Sequence, residues 1–361
     1  MAKEKLIMGK IISGILFVGA LLLMSKAFFL NAYPDFGAYY NGSFGNNILN
    51  YPPFVTIIFS VFSIFPIVIA SKIWLAISIS SLLLSLYLCF KLFKIRILSS
   101  LALILSSLVF VYFPVRFTLG MGQLNLLVLL FVVLTFYFYI KDKDAYSGIC
   151  LGISIMLKLF PVLIILYFLV LKRFKILLYT LLTFAGLSLV SYFFIKPEIN
   201  NNYWLHLLPV LTSTPVDYYN QALSGFLARE IHNYFFRDLS RIIISIFLVL
   251  FSFWLILRNK KADFSKKTLE FGFLITLNIL INGYSWQHHF SWLVLPFLTV
   301  FFYIRSKNIG MWSYLLLGTS YLLTCANLKN FVVYPALIQS HVFFGALLLW
   351  GMAGFLLFRN A

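Results

Sequence analysis

Apolar stretches long enough to cross a bilayer recur along the chain from about residue 11 to residue 358, with short polar segments between them. One crossing takes about 20 apolar residues, so the pattern predicts about twelve helices. We place them at 8–30, 54–70, 73–93, 97–115, 123–140, 146–171, 173–195, 240–258, 268–283, 288–304, 309–326 and 333–357. Since no polar block is large enough for a soluble domain, we expect one all-α polytopic membrane domain over residues 1–361.

Composition excludes a water-soluble protein. The chain is 62% hydrophobic and 11% charged, with a mean hydropathy of +0.97, and no soluble domain could enclose so much apolar surface. The net charge of +18 is carried by short Lys and Arg clusters between apolar stretches, which indicates membrane topology rather than nucleic-acid binding. The three cysteines, Cys89, Cys150 and Cys325, lack metal-ligand spacing, so we predict neither a disulfide nor a metal site from them.

The basic clusters also predict which loops face outward. KRFK, RNKK and RSK are assigned to the cytoplasmic side, and the non-basic loops 31–53, 196–239 and 282–289 then share the outer face. If every span crosses the membrane completely, KLFKIR lies outside, although basic loops are expected on the cytoplasmic side. Some spans between 54 and 171 could therefore be half-crossings or re-entrant segments, and we leave their orientation open. We expect loop 196–239 to cap an outward cavity, and the N-terminal apolar stretch to be a retained signal anchor.

Two charged residues stand out against this apolar background. Insertion of a charged side chain into the membrane costs at least about 2.5–3.5 kcal/mol, so such a residue is expected to have an interaction partner or a function. Lys158 interrupts an apolar stretch and Pro161 follows it, which favours a kink facing a cavity, with snorkelling to the interface as the alternative. Asp35 is the one acid in loop 31–53. Apolar surroundings move a carboxylate towards the pKa of a general base, although turn capping is equally consistent.

Amides and imidazoles form a second group of candidates. Gln123 and Asn125 follow two glycines and could bind ligand hydroxyls or hold neighbouring helices together. His288 and His289 lie beside Trp286, where they could contact a phosphate or a sugar, or belong to an aromatic belt. Without a nearby acid or cysteine they do not predict a metal site.

The sequence DKD at 142–144 matches the Asp-x-Asp by which many soluble glycosyltransferases hold a metal-bound nucleotide sugar. Here it forms a short charged turn with neighbouring lysines, and we expect it only to end a helix.

Taken together, the outward-facing candidates suit a sugar carried on a lipid phosphate. Cations bind phosphate, while carboxylate, amide and aromatic groups bind sugars. A transporter or flippase of a lipid-linked or anionic solute could use the same residues, but an inverted repeat and paired broken helices would then be expected. A non-catalytic scaffolding subunit is a third possibility, and a scattered arrangement of the candidates would favour it.

The order of these motifs resembles glycosyltransferase family 87, polytopic enzymes of the GT-C class that use polyprenyl-phosphate sugars and include mannosyl- and arabinofuranosyltransferases. The matching features are Asp35 with Tyr39 and Tyr40, YPP at 51–53, Arg116 with GQLN at 122–125, Gly152 with Lys158 and Pro161, NQAL with Arg229 at 220–229, and SWQHH at 285–289. One departure is Ala222, where the family pattern leads us to expect a serine.

The resemblance implies a GT-C fold and gives each candidate a role. Asp35 would be the catalytic base of an inverting transfer. The donor phosphate would be bound by Lys158, Arg116, Arg229, His288 and His289. The sugar and acceptor would be bound by Tyr39, Tyr40, Gln123, Asn125, Asn220, Gln221 and Trp286. The expected partners are a polyprenyl-phosphate sugar (mannose favoured), a lipid-linked or glycan acceptor and membrane lipids, with no metal, cofactor or nucleic acid. We expect a multi-pass protein of the cell membrane with its active site on the non-cytoplasmic face.

Overall fold

The computed structural model describes residues 2–42, 50–208, 217–258, 263–328 and 334–359, with side chains from Met8 onwards. Parts of two predicted outer loops, at 43–49 and 209–216, lie outside the described residues. All secondary-structure elements of the described residues are helices or helical turns. The β-type pairing in this part of the chain is an isolated bridge between Asn220 and Trp286. The all-α prediction is confirmed.

The α-helices are numbered here in chain order. They are α1 (Ala2–Ser25), α2 (Pro34–Gly42), α3 (Phe54–Phe62), α4 (Ile67–Leu92), α5 (Ser100–Val111), α6 (Phe113–Met121), α7 (Asn125–Ile140), α8 (Asp144–Leu157), α9 (Leu163–Val170), α10 (Phe174–Phe194), α11 (Pro197–Asn202), α12 (Leu223–Glu230), α13 (Tyr234–Arg258), α14 (Phe264–Ile281), α15 (Val294–Ser306), α16 (Met311–Cys325), α17 (Ala336–Gln339) and α18 (His341–Arg359). Tighter 3₁₀ turns occupy Lys26–Phe29, Phe160–Val162 and Gln287–Leu293, and a π-helical turn occupies Tyr203–Leu207.

Several of these helices are long and apolar enough to cross a membrane. In the described residues the segments that meet this condition are Met8–Phe29, Ile67–Leu92, Phe174–Phe194, Tyr234–Arg258, Gln287–Ser306 and His341–Arg359. A seventh crossing results if α5 and α6, bent by 55° to each other, form one broken span, and three further apolar helices are shorter. The protein is therefore a multi-pass membrane protein, while the predicted number of twelve crossings is not confirmed.

Prolines divide two of the predicted spans. The span predicted at 54–70 differs from the structure, because α3 ends at Phe62 and Pro66 directly precedes α4. The span predicted at 146–171 is also interrupted: α8 ends at Leu157, and Lys158 has extended backbone angles of φ −160° and ψ 124°. Pro161 lies in the 3₁₀ turn that follows and has no N–H to continue an α-helix. The predicted kink at Lys158 is thus present.

The turn between α6 and α7 positions the side chain of Gln123 against α2. Gly122 has a φ of +72°, and a Cβ atom added there would lie 2.7 Å from Cβ of Phe36. Its carbonyl accepts a hydrogen bond of 2.8 Å from the indole of Trp74. Only glycine fits both the left-handed backbone and the close approach, and the turn directs Gln123 towards α2.

We expect Gly122→Ala to destabilise the protein by about 1–3 kcal/mol, because the new methyl group is strained in φ and overlaps Phe36. The measurement is the midpoint of thermal unfolding in detergent. Gly318→Ala is the matched control, since Gly318 lies in α16 with no atom within 4 Å of an added Cβ. Equal midpoints for the two variants would contradict the prediction.

Candidate active site

Asp35 belongs to a hydrogen-bonded network that joins three separate segments. It lies in the first turn of α2, and its Oδ2 accepts a bond of 2.5 Å from Nε2 of Gln123. The other end of that amide, Oε1, lies 2.9 Å from the hydroxyls of both Tyr39 and Tyr51. Because Oε1 accepts from the phenols, the amide presents its N–H group to the carboxylate and fixes the carboxylate's position.

The surroundings of Asp35 favour its use as a base. The residue is half-buried. Burial raises the pKa of its carboxyl above the ordinary value, while the hydrogen bond from Gln123 and the charge of Lys158 act in the opposite direction. A carboxylate with a raised pKa that stays partly open accepts a proton from a hydroxyl more readily than an ordinary aspartate does.

A second cluster of polar side chains surrounds Lys158 at the break after α8 and includes Asn125 and His289. Lys158 is 7% exposed, and its Nζ lies 2.8 Å from Oδ1 of Asn125 and 2.6 Å from Nε2 of His289. Among the described residues, no carboxylate lies within ion-pair distance of this amine. A buried ammonium without a counter-ion is unfavourable, so this position suits an anionic ligand.

The hydrogen bonds of His289 constrain the position of this lysine. Nδ1 of His289 accepts a bond of 3.1 Å from the backbone N–H of Trp286. This bond orients the ring so that Nε2 faces Nζ of Lys158. With Asn125 on its other side, the amine of Lys158 is held in one position, where an anion can approach it.

Tyr51 connects the two clusters. Its hydroxyl belongs to the Asp35 network, and Nζ of Lys158 lies 5.4 Å from the centre of its ring. The YPP motif is visible in the sequence, but no local pattern there gives Tyr51 a role in the site. Burial, and then the neighbouring Tyr51, raise the pKa of Tyr203, which belongs to loop 196–239. The capping role of that loop stays a prediction.

The segment after α14 contributes an imidazole and an aromatic platform. His288 is 3% exposed, and its Nδ1 has no hydrogen-bond partner among the described residues. Its carbonyl accepts bonds from Thr118 and Asn125, at 2.9 and 3.2 Å, which tie the segment to α6 and α7. Trp286 stacks on Tyr219 with ring centres 5.6 Å apart. The free imidazole nitrogen and the flat aromatic surface suit a phosphate and a sugar ring, respectively.

Arg229 bonds to Ser340 and to backbone carbonyls, and it does not belong to the group of side chains around Lys158. Its Nε and Nη2 donate to Oγ of Ser340 at 3.0 and 2.8 Å. Nη1 donates to the carbonyls of Asp217 and Asn220, both at 3.0 Å. These bonds hold the loop before α12 against α17 and α18. The contact of Arg229 with the donor phosphate stays a prediction.

The amides of Asn220 and Gln221 also hold the backbone. Asn220 accepts from the N–H groups of Ala222 and Ser285, both at 3.3 Å, and thereby supports the bridge to Trp286. Gln221 donates to the carbonyls of Tyr218 and Gln339, at 2.6 and 2.8 Å. Both residues position the segment that carries the histidines, and neither has its donors directed to a ligand.

Two further predicted residues lie outside the two clusters. The hydroxyl of Tyr40 donates to the carbonyl of Phe65 at 2.9 Å, so it points towards the α3–α4 connection and not towards Asp35. Arg116 lies in α6 with its guanidinium 6.0 Å from the ring of Phe113, and its Nε has no hydrogen-bond partner among the described residues. Neither residue contacts Asp35 or Lys158.

The DKD motif has the structural role expected of it. Helix α7 ends at Ile140 and α8 begins at Asp144. Asp142 and Asp144 lie 3.3 and 3.5 Å from the guanidinium of Arg173, so both carboxylates already have a cationic partner. The part of the chain that the structure describes has no group of three or more His, Cys, Asp or Glu side chains placed to hold a metal ion.

Residues 49–281, more than half of the chain, match glycosyltransferase family 87. The protein belongs to this family. Among solved structures, ArnT from Cupriavidus metallidurans bound to undecaprenyl phosphate is similar, with a TM-score of 0.50 and 14% identity, over 95% of this chain and 76% of ArnT. This likeness shows a GT-C fold. A search of curated proteins finds no match.

The family 87 match covers only part of the site. Tyr51, Gln123, Asn125 and Lys158 fall within residues 49–281, whereas Asp35 and the pair His288–His289 lie outside this range. The structure joins these parts through the Gln123–Asp35 and Lys158–His289 contacts. The site of this family 87 protein is therefore continuous in space, although the family match ends before the histidines.

Proposed function

We propose that this protein transfers a sugar from a polyprenyl-phosphate donor to a hydroxyl group of a lipid-linked or glycan acceptor, with inversion at the anomeric carbon. Membership of family 87 supports the sugar transfer. The ArnT-like fold supports a lipid-phosphate donor, since ArnT was crystallised with undecaprenyl phosphate. The observation that carries the proposal is a carboxylate held by Gln123 and connected through Tyr51 to a buried lysine. Among the described residues this lysine has no carboxylate within ion-pair distance.

In this reaction Asp35 acts as the base. It takes the proton of the acceptor hydroxyl while that oxygen forms a bond to the anomeric carbon of the donor sugar. The bond between the anomeric carbon and the phosphate oxygen breaks on the opposite face, and its electron pair stays on the phosphate. The products are the glycoside, protonated Asp35 and polyprenyl phosphate.

Lys158 and the histidines stabilise the leaving phosphate. The donor phosphodiester has one negative charge and the released monoester has up to two, so charge develops where Lys158, His289 and His288 lie. Because these groups can stabilise the unprotonated phosphate, the proposed reaction needs neither a metal ion nor a cofactor. Tyr39, Tyr51 and Trp286 supply hydroxyl and aromatic surfaces for the sugar, for which we propose mannose.

The direct test incubates the purified protein with polyprenyl-phosphate mannose, arabinofuranose and other sugars, together with candidate acceptors, and measures released polyprenyl phosphate. We expect release from the mannose donor that depends on the acceptor. Release from a different donor alone would overturn mannose but not sugar transfer. If no donor is consumed and vesicles containing the protein instead move the lipid-linked sugar between leaflets, the proposal is wrong and the protein is a flippase.

The pH dependence of transfer tests the Asp35–Gln123 bond. Only ionised Asp35 acts as a base, so activity is present above its pKa and is lost as the pH falls through it. The hydrogen bond from Gln123 favours the ionised form, and Gln123→Leu removes that bond. We therefore expect the acidic limb of the kcat/KM profile to move to higher pH in this variant. An unchanged limb with a uniformly lower rate would show that Gln123 does not act on Asp35.

A further inference from the structure

A second site lies at the start of α13, away from Asp35 and Lys158. It is a cavity of about 350 Å³ between α12, the first turn of α13 and α17. Its polar lining consists of Arg229, His232, Tyr234, Arg237 and Gln339. The lining residues include two guanidinium groups and an imidazole and no carboxylate, so the lining itself offers hydrogen-bond donors to an anion.

Arg237 is the unusual member of this lining. It is 6% exposed, and its Nε makes no hydrogen bond with the described residues. The guanidinium lies over the ring of Tyr234, 4.5 Å from its centre. The carboxylate of Asp238 is 3.8 Å from Nε, and the same oxygen is 3.8 Å from Nε of Arg241. A buried guanidinium with such weak compensation requires an anion to satisfy it.

Arg229 adds a second guanidinium group to the lining, with the carboxylates of Asp217 and Glu230 close enough to interact with it electrostatically. Its hydrogen-bond acceptors are the hydroxyl of Ser340 and two backbone carbonyls, all of them uncharged. The N-terminus of α13, a helix of 25 residues, lies at the same cavity. The side chain of Asn233 caps the N–H of Phe236 there, and the helix dipole adds a partial positive charge. Three independent features of the cavity therefore favour negative charge.

The cavity lies where lipid headgroups are found. Helix α13 is long and apolar enough to cross the membrane, and the cavity is at its first turn. Tyr234, Phe235 and Phe236 of that turn are 72%, 70% and 59% exposed. Exposed aromatic residues at the end of a spanning helix are typical of the membrane–water interface. An anion at this depth is therefore more readily supplied by a lipid than by bulk water.

We propose that this cavity binds the phosphate of a membrane lipid headgroup, held by Arg237 and by the free N–H of Nη2 of Arg229. The planar, forked donors of arginine match phosphate oxygens, and the acyl chains of the lipid would lie along the apolar surface of α13. This site is separate from the proposed sugar transfer and does not depend on it.

The test measures lipid retention by the purified full-length protein in native mass spectrometry, without donor or acceptor. The probes are phosphatidylglycerol, diacylglycerol with the same acyl chains, and inorganic phosphate. The variants are Arg237→Gln and, as the matched control, Arg241→Gln, which removes the same charge one turn further along α13 from a residue outside the cavity lining. Arg237→Lys keeps the positive charge but removes the paired, planar N–H donors of the guanidinium. Thermal unfolding verifies that each variant is folded.

We expect the wild type to retain phosphatidylglycerol and not diacylglycerol. Arg237→Gln should weaken this retention about tenfold or more, Arg237→Lys should be intermediate, and Arg241→Gln should stay within about twofold. Equal retention of diacylglycerol, or equal losses in Arg237→Gln and Arg241→Gln, would overturn the proposal. Binding of inorganic phosphate as tight as that of phosphatidylglycerol would overturn the assignment of a lipid as its source.

Discussion

Replacement of Asp35 by asparagine is expected to lower the kcat for sugar transfer by about 100- to 10,000-fold, the range that a positioned general base contributes. Asparagine has nearly the same size and can still accept a hydrogen bond from Gln123, so the aromatic network around it should remain folded. It cannot take the proton of the acceptor hydroxyl. The measurement is the rate of polyprenyl phosphate release with saturating donor and acceptor.

Glu198→Gln provides the control for this experiment. Glu198 lies exposed in the first turn of α11, on loop 196–239, and its substitution removes one carboxylate without changing the network around Asp35. Its rate should equal that of the wild type. If folded, membrane-inserted Asp35→Asn protein transferred sugar at a rate near that of the wild type, Asp35 would not be the base.

Local sequence patterns were sufficient to predict the residues whose surroundings are set by their own segment. Lys158 is the main example. A charged residue in an apolar stretch, followed by Pro161, predicts both a break in the helix and a side chain that faces a cavity. The pair Gln123 and Asn125, placed after the turn at Gly122, is a second. In each case the constraint, a missing N–H or a left-handed φ, acts within a few residues.

Contacts between distant segments could not be predicted in the same way. Tyr39 and Gln123 are 84 residues apart, and Tyr51 and Gln123 are 72 apart, so no local pattern shows that they share one amide. Tyr39 and Tyr40 look equivalent in the sequence. On α2, however, adjacent residues point in directions about 100° apart, and only Tyr39 faces Gln123.

Arg229 shows a different limit of the sequence. Its position in NQALSGFLAR suggests a buried cation near the histidines, and the structure does place it close to their segment. Most of its donors, however, are taken by backbone carbonyls and by Ser340. Every residue has a backbone carbonyl, so a sequence does not show which of these carbonyls an arginine binds. The sequence therefore does not show which donors of an arginine remain for a ligand.

Replacement of Lys158 by methionine is expected to lower kcat by about 100- to 1,000-fold, the loss typical of removing one group that stabilises developing charge. Methionine has a similar length and no charge, and it fits a position that is 7% exposed, so the fold should persist. The phosphate becomes more negative as the glycosidic bond breaks, and Lys158 should therefore stabilise the transition state more than the bound donor. We expect kcat to fall more than KM rises.

The measurements for Lys158 are kcat and KM for the polyprenyl-phosphate sugar in Lys158→Met, Lys158→Arg and a control. Lys175→Met is the control, because Lys175 is exposed in the first turn of α10 and its loss removes the same charge outside the site. Lys158→Arg should recover only part of the rate, since the larger guanidinium does not fit between Asn125 and His289 at 2.8 and 2.6 Å. A rise in KM with unchanged kcat would show that Lys158 binds the donor phosphate without stabilising its departure, and wild-type values for both constants would remove Lys158 from the site.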